Sequence, residues 1–317
     1  MKSGPTFPER VASIDIGTNT ILLLIAEVSN GVLKPLLEKE TIVRLGEGVQ
    51  KNGTLLEGAM ERGVQTLTQY LRDCQEMGVQ RIFAAGTSAL REAKNAGDFL
   101  RKVEQKLNFP IEIISGEEEA QLSFLAVTRD LGTPEKPTLV VDVGGGSTEF
   151  VFGKGNQIGH WVSLPVGSVR FTEQFLRSDP VEEKEWERLE KEITSRLSGI
   201  PQPQRPFTMV AVGGTATTLA SVEQGLKQFD YEKIHHFVLK RENLKKQLDL
   251  YRSRTLKERR KIPGLFPARA DVILAGGAIL YFAMEKLEVP SVLISCHGVR
   301  YGLIYKKISD CGLRIAD

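Results

Sequence analysis

Apolar residues along this chain gather in short runs that end at glycine-rich turns, and one such pattern occurs twice. Residues 11–16 form an apolar run that meets the turn Asp15-Ile16-Gly17-Thr18-Asn19-Thr20, after which residues 21–28 are apolar again. Runs bounded in this way read as strand, tight turn, strand. Residues 138–143 repeat the pattern, running into Asp142-Val143-Gly144-Gly145-Gly146-Ser147-Thr148 and emerging as Glu149-Phe150-Val151-Phe152. Both turns are headed by Asp-aliphatic-Gly, about half a chain apart, which predicts one supersecondary unit present in two copies.

The intervening sequence fits α/β units. In the first half, residues 32–45 predict a third strand, 55–71 a helix, 81–85 a strand, 88–107 a helix and 111–114 a strand, with a further helix opening near Ser115. In the second half, 181–197 predict a solvated helix. Residues 207–212 predict a strand that enters Gly213-Gly214-Thr215-Ala216, with a helix over 217–222. Residues 268–287 predict a helix with a buried, uncharged middle, 291–295 a last strand and 302–309 a closing helix.

Composition narrows the class. A chain of 317 residues exceeds what one core usually holds, so two domains are expected. With 41% hydrophobic and 26% charged residues the usage is ordinary for globular proteins. No apolar run is long enough to span a bilayer. Residues 1–10 lack the apolar centre of a secretory signal, so the expected location is cytoplasmic. Cys74, Cys296 and Cys311 are odd in number and widely spaced, against a disulfide framework or structural zinc. The adjacent His235 and His236 would point to opposite faces of a strand or diverge by about 100° on a helix, which predicts no convergence on a metal. Ten Lys/Arg fall in residues 240–261 against Glu242, Asp249 and Glu258. That is the footprint of a polyanionic partner or, equally, one solvated helix face. Tyr251 is the only aromatic residue in it, so no stacking platform for nucleic acid is expected.

Three turns carry candidate chemistry: Gly17-Thr18-Asn19-Thr20, Gly144-Gly145-Gly146-Ser147-Thr148 and Gly213-Gly214-Thr215. Each follows an apolar strand, and glycine lets backbone N–H groups crowd around an anion. Hydroxyls of Thr18, Thr20, Ser147, Thr148 and Thr215 would add donors. The chain has neither a G-x-x-x-x-G-K-[ST] nor a G-x-G-x-x-G fingerprint, which points away from P-loop and dinucleotide-binding proteins.

The runs Asp15 to Thr20, Gly86-Thr87-Ser88-Ala89-Leu90-Arg91-Glu92-Ala93, Ser115-Gly116-Glu117-Glu118-Glu119-Ala120 and Asp142 to Phe150 resemble, in that order, the Ppx/GppA phosphatases of the actin-like ATPase superfamily. Val43-Arg44-Leu45-Gly46-Glu47-Gly48, Leu164-Pro165-Val166-Gly167-Ser168 and Gly298-Val299-Arg300-Tyr301-Gly302 fit the same pattern, so the resemblance covers almost the whole chain. It implies an α/β protein of two actin-like (ribonuclease H-like) domains, related by pseudo-twofold duplication around a central cleft. These would be residues 1–124 and 125–317, with the segment from about 303 packing back on the first domain. It also implies Mg²⁺-dependent, or other divalent-cation-dependent, release of terminal phosphate from inorganic polyphosphate or guanosine pentaphosphate. Longer members carry an added C-terminal helical module for which this chain has no room.

Within the glutamate run, Ser115 and Glu118 form a capping-box pattern that occupies Glu118. Glu119 shares a helix face with Leu122, Ser123 and Ala126 and points inward; on this reading alone it is either a general base or an acidic residue favouring a helix start. The resemblance makes Glu119 the catalytic glutamate. Hydrolysis of a phosphoanhydride also needs a countercharge and donors held in line. Arg91 is the expected clamp on the terminal phosphate, its alternative being a surface pair with Glu92 or Asp98. Asp142 and Glu149, with Asp15 opposite, are the expected Mg²⁺ carboxylates. A kinase of the acetate or sugar type and a non-catalytic sensor of guanosine tetraphosphate or pentaphosphate are the rival readings. The sequence leaves monomer and homodimer open.

Overall fold

A computed structural model of the chain describes residues 8–29 and 32–310. Residues 1–7 of the segment read as lacking a secretory centre, and Cys311, lie outside the described residues. The two strand-turn-strand patterns fold as antiparallel hairpins, each at the heart of its own sheet. In the first, β1 (Glu9–Ile16) pairs with β2 (Thr20–Ser29), β2 with β3 (Val32–Ile42), and β1 runs parallel to β4 (Arg81–Gly86), which pairs with β5 (Glu112–Ile113). The order is β3-β2-β1-β4-β5. In the second, β6 (Thr138–Val143), β7 (Thr148–Lys154), β8 (Gln157–Leu164), β9 (Thr208–Val212) and β11 (Ser291–Ile294) repeat that order and every pairing sense, with β10 (Val238–Lys240) added at the edge. This is the duplicated α/β class that the sequence predicted.

The chain divides into two compact units. One holds the described residues up to Leu122 and those from Val299 on; the other is Ser123–Gly298. In the first, Ile14, Ile16, Ile21 and Leu23 pack with Val64, Leu67 and Phe99. A smaller apolar cluster joins Ala85, Ile114, Leu122, Val299 and Leu303, so the helix Val299–Asp310 covers part of this unit. Its Gly302 lies against the chain at Leu122, where a Cβ would collide with the carbonyl oxygen. In the second unit the helix Ile273–Lys286 is buried from Ile273 through Met284, because a segment without charge can be surrounded on all sides.

The helix predicted over 88–107 is interrupted. Ser88–Glu92 and Ala96–Leu107 are separate helices, with Ala93 extended between them and Asn95 at the start of the second bonded to a distant segment. Leu55 N–H donates to Asn95 Oδ1 at 2.7 Å, and Asn95 Nδ2 donates to Leu55 O at 3.1 Å. The helix predicted to start at residue 217 starts at Gly213, directly after β9. The helix predicted over 268–287 is a short 3₁₀ turn, Pro267–Arg269, followed by Ile273–Lys286.

Candidate active site

In the first unit, β1 delivers Asp15 and the hairpin loop Gly17-Thr18-Asn19-Thr20. Gly17 N–H donates to Thr20 O at 2.9 Å, closing the loop. Neighbouring backbone grips it from outside: Val43 and Arg44 N–H donate to Asn19 O, and Gly46 N–H donates to Thr18 O at 2.8 Å. Thr18 and Asn19 are buried, yet Thr18 Oγ1 and Asn19 Oδ1 have no hydrogen-bond partner among the described residues. Buried polar atoms left this way cost roughly 1–3 kcal/mol each, so they point to a ligand that completes them.

Arg91 comes from the short helix Ser88–Glu92 and Glu119 from the helix Gly116–Asp130. Arg91 Nη1 donates to Glu119 Oε2 at 2.6 Å and to Ile114 O at 3.1 Å. Glu119 is buried. The two residues singled out for catalysis are thus an ion pair with one another. Glu118 is occupied as the capping-box pattern requires. Ser115 N–H donates to Glu118 Oε2 at 3.0 Å, and Glu118 N–H donates to Ser115 Oγ at 3.1 Å. These bonds, together with Lys306 nearby, hold the Glu118 carboxyl below its ordinary range against a smaller effect of burial.

In the second unit, the loop Gly144-Gly145-Gly146-Ser147 has the same length and the same closing bond, Gly144 N–H to Ser147 O at 3.0 Å. Ser168 N–H donates to Gly144 O, and Val169 and Arg170 N–H donate to Gly145 O. Asp142 and Glu149 are direct partners across the β6–β7 ladder, so both carboxylates leave the sheet on one face. Glu149 is 1% exposed, and its Oε1 accepts from Ser163 Oγ at 2.8 Å. Asp142 Oδ2 accepts from Ser123 Oγ at 2.9 Å. Burial pushes the Asp142 carboxyl above the usual carboxylate range, and the Ser123 bond offsets only part of that. A half-buried and a buried carboxylate side by side form an oxygen-only donor set that fits a hard divalent cation. In the first unit the position opposite Asp15 is Leu22.

Gly213 and Gly214 open the helix Gly213–Glu223, where the first N–H groups of the helix lack intrahelical partners. Gly213 has φ 86°, and a Cβ there would stand 2.8 Å from Asp142 Oδ1, so only glycine lets the carboxylate and the helix start approach so closely.

Two candidate donors need correction, and one is Thr215, whose buried hydroxyl donates to Val143 O at 3.4 Å. The other, Thr148, is fully buried, and its hydroxyl donates to Val166 O at 2.5 Å, so it fastens β7 instead of facing an anion. The basic stretch is divided as well. Arg259 is buried with Nε donating to Tyr251 O at 2.7 Å, and Arg252 lies over the Trp186 ring while pairing with Glu183. Lys245, Lys246, Arg254, Lys257, Arg260 and Lys261 remain exposed.

Two features escaped the sequence reading. Arg269, 7% exposed, sets its guanidinium against Gly214, where any Cβ would strike it. No spacing along the chain links these residues. The geometry assumed for the histidine pair does not hold. His236 has a left-handed φ of 62°, so neither strand nor helix geometry applies, and the His235 and His236 rings stack at 3.9 Å. Both reach Asp130: His235 Nε2 lies 3.1 Å from Oδ1 and His236 Nε2 2.8 Å from Oδ2.

Two units of one topology, each with a Gly-rich hairpin loop beside a strand-end aspartate, define a class of duplicated α/β proteins. The model of the Ppx/GppA phosphatase family matches residues 24–310, and the chain belongs to that family. It is 33% identical to Exopolyphosphatase 2 of Mycobacterium tuberculosis over 93% of this chain and 97% of that protein. It is also 33% identical to a bifunctional 3-dehydroquinate synthase/phosphatase of Fusobacterium nucleatum, covering 94% of this chain but 46% of that longer protein. Among solved structures, the Aquifex aeolicus family member is 38% identical, with a TM-score of 0.82 over 96% of this chain and 99% of that one. An exopolyphosphatase from Cytophaga hutchinsonii is 25% identical, with a TM-score of 0.86 over 98% and 100%. Membership supports a phosphate-releasing hydrolase of the exopolyphosphatase type. Among the described residues no helix is long and apolar enough to cross a membrane.

Proposed function

We propose that this protein releases terminal orthophosphate from inorganic polyphosphate, with guanosine pentaphosphate as the competing substrate, at a cytoplasmic location. The observation that carries the reading is the carboxylate pair of half-buried Asp142 and buried Glu149 beside a glycine loop. Asp142 and Glu149 would hold a divalent cation, Mg²⁺ in this reading, and Asp15 is the acid expected to assist it. When bound, that ion neutralises charge on the phosphoryl oxygens. Backbone N–H groups of Thr18, Asn19, Thr20, Gly145, Gly146, Ser147, Gly213, Gly214 and Thr215 hold phosphate oxygens, while those of Gly17 and Gly144 close their loops, and the unsatisfied Thr18 hydroxyl adds a donor. Arg91 transfers its fork from Glu119 to the terminal phosphate. The released Glu119 carboxylate then orients and deprotonates the attacking water.

The test is phosphate release measured side by side on polyphosphate and guanosine pentaphosphate, with and without Mg²⁺. Orthophosphate from polyphosphate alone, without an acceptor, supports hydrolysis. Binding without turnover supports the sensor, and acceptor-dependent phosphorylation supports the kinase.

A further inference from the structure

Three of the four histidines of the chain converge on one carboxylate, at a place the hydrolysis reading does not use. Asp130 ends the helix Gly116–Asp130, His235 caps the helix Tyr231–Ile234, and His297 follows β11. All lie in the second unit. The side chains of Asp130, His235 and His297 are 9%, 10% and 11% exposed, while His236 at 45% leaves the cluster open to solvent.

We propose that Asp130, His235 and His297 form a metal site for one borderline divalent transition-metal ion such as Zn²⁺ or Co²⁺, sharing no residue with the Asp142–Glu149 pair. Ligand atoms of the three residues lie within 4.8 Å of one another. Asp130 Oδ1 is 3.1 Å from His235 Nε2 and 3.5 Å from His297 Nδ1. A tetrahedral ion with bonds of about 2.0–2.2 Å has ligand edges of about 3.3–3.6 Å, so small shifts seat it. Two imidazoles and one carboxylate select this class of ion over Mg²⁺.

The surroundings prepare these ligands unequally. Burial works against an ionised Asp130, but the histidine contacts outweigh it and hold the carboxyl below its ordinary range, so it is a carboxylate at neutral pH. His297 Nε2 meets the Tyr231 hydroxyl at 2.8 Å, the outer contact expected of a histidine ligating through Nδ1. His235 Nδ1 accepts Cys296 N–H at 3.2 Å, so the neutral ring carries its proton on Nε2. Ligation through Nε2 moves that proton to Nδ1, leaving the ring neutral and releasing Cys296 N–H. The ion would thus be felt in the Ser295–Gly298 segment, at the end of the second unit.

The experiment titrates the full chain with Co²⁺ in the presence of a large excess of Mg²⁺, reading visible ligand-field absorption. Expected is one saturable Co²⁺ per chain with the intensity of a tetrahedral centre. Glu149→Gln should leave it intact. His297→Gln, shown to be folded by its thermal transition, should weaken it by about 100-fold or more, beyond the 10–100-fold typical of losing an outer partner. In unaltered protein labelled with ¹⁵N at the histidine rings, Zn²⁺ should shift the His235 and His297 nitrogens, leave those of His160 in place, and shift the Cys296 amide. Absence of saturable Co²⁺ binding, loss of it in Glu149→Gln, full affinity in His297→Gln, or unmoved His235 and His297 rings would each overturn the proposal.

Discussion

Asp142→Asn offers the sharpest test of the carboxylate pair, because the structure predicts opposite effects with and without a divalent cation. Asn keeps the shape and can still accept from Ser123 Oγ, so little packing is lost. Without a cation, the change removes one of two like charges that face each other across the β6–β7 ladder. Opposed like charges on a sheet cost roughly 0.2–1 kcal/mol, and more when enclosed, so the variant should match or exceed the original by about 1 kcal/mol. The pH dependence has a definite sign. The folded state holds the Asp142 proton more tightly than the unfolded chain does, because burial raises that carboxyl. Metal-free stability from this group is therefore greatest in acid and falls as pH rises through the raised value, and in the variant that fall is absent. With Mg²⁺ at about 100 times its Kd, the original protein gains about 2.7 kcal/mol, a rise of about 5–10 °C for a unit of this size, and the variant gains almost none. Differential scanning calorimetry at several pH values, with Mg²⁺ or with chelator, measures both effects. An equal Mg²⁺ shift in the two proteins, or a metal-free variant several kcal/mol less stable, would refute the reasoning.

Glu119→Gln should lower turnover by about 10²–10⁴ while substrate binding survives in a filter or calorimetric assay. Glu118→Gln should keep turnover and lose at most about 1 kcal/mol of stability to the weakened cap; the reverse pattern would exchange the two roles. Gly302→Ala should lower the melting temperature by the equivalent of about 1–3 kcal/mol, because its Cβ meets backbone instead of a movable side chain. Replacing the exposed Lys245, Lys246, Lys257 and Arg260 together should raise KM for long polyphosphate and flatten its salt dependence, with little change on guanosine pentaphosphate. Arg259→Ala should instead destabilise the fold, since Arg259 is buried against Tyr251 O; unchanged salt dependence in the first variant would make the stretch ordinary surface.

The hairpins were legible in the sequence because strand periodicity and glycine turns are local signals, and Asp15 and Asp142 lie in them, while Glu119 was reached through the local capping-box pattern at Ser115 and the family resemblance. What escaped depends on contacts between distant residues. The break at Ala93 is accompanied by a bond from Asn95 to Leu55, forty residues away, and Arg269 meets Gly214 only once both are folded. Thr148 looked like an anion donor until Val166 took its hydroxyl. Gly213 and Gly214 read as a loop because glycine disfavours helices, yet here they are the first turn, where the close approach of Asp142 matters more than propensity. The histidine pair was misjudged because one left-handed residue, His236, removes both regular geometries from consideration.

Between the two copies, the difference of Leu22 and Glu149 describes a division of labour after inheritance. Both hairpins retain the ancestral frame down to the bond that closes the loop, but one presents an acid opposite its aspartate and the other a hydrocarbon. Frame and cargo have therefore been free to drift apart. At this position the half with Leu22 adds only packing, and the half with Glu149 bears the extra electrostatic burden. A chain descended from two equivalent parts thus has paired acids on one hairpin and not at the matching place on the other, and substitutions at matching positions of its halves will not have matching consequences.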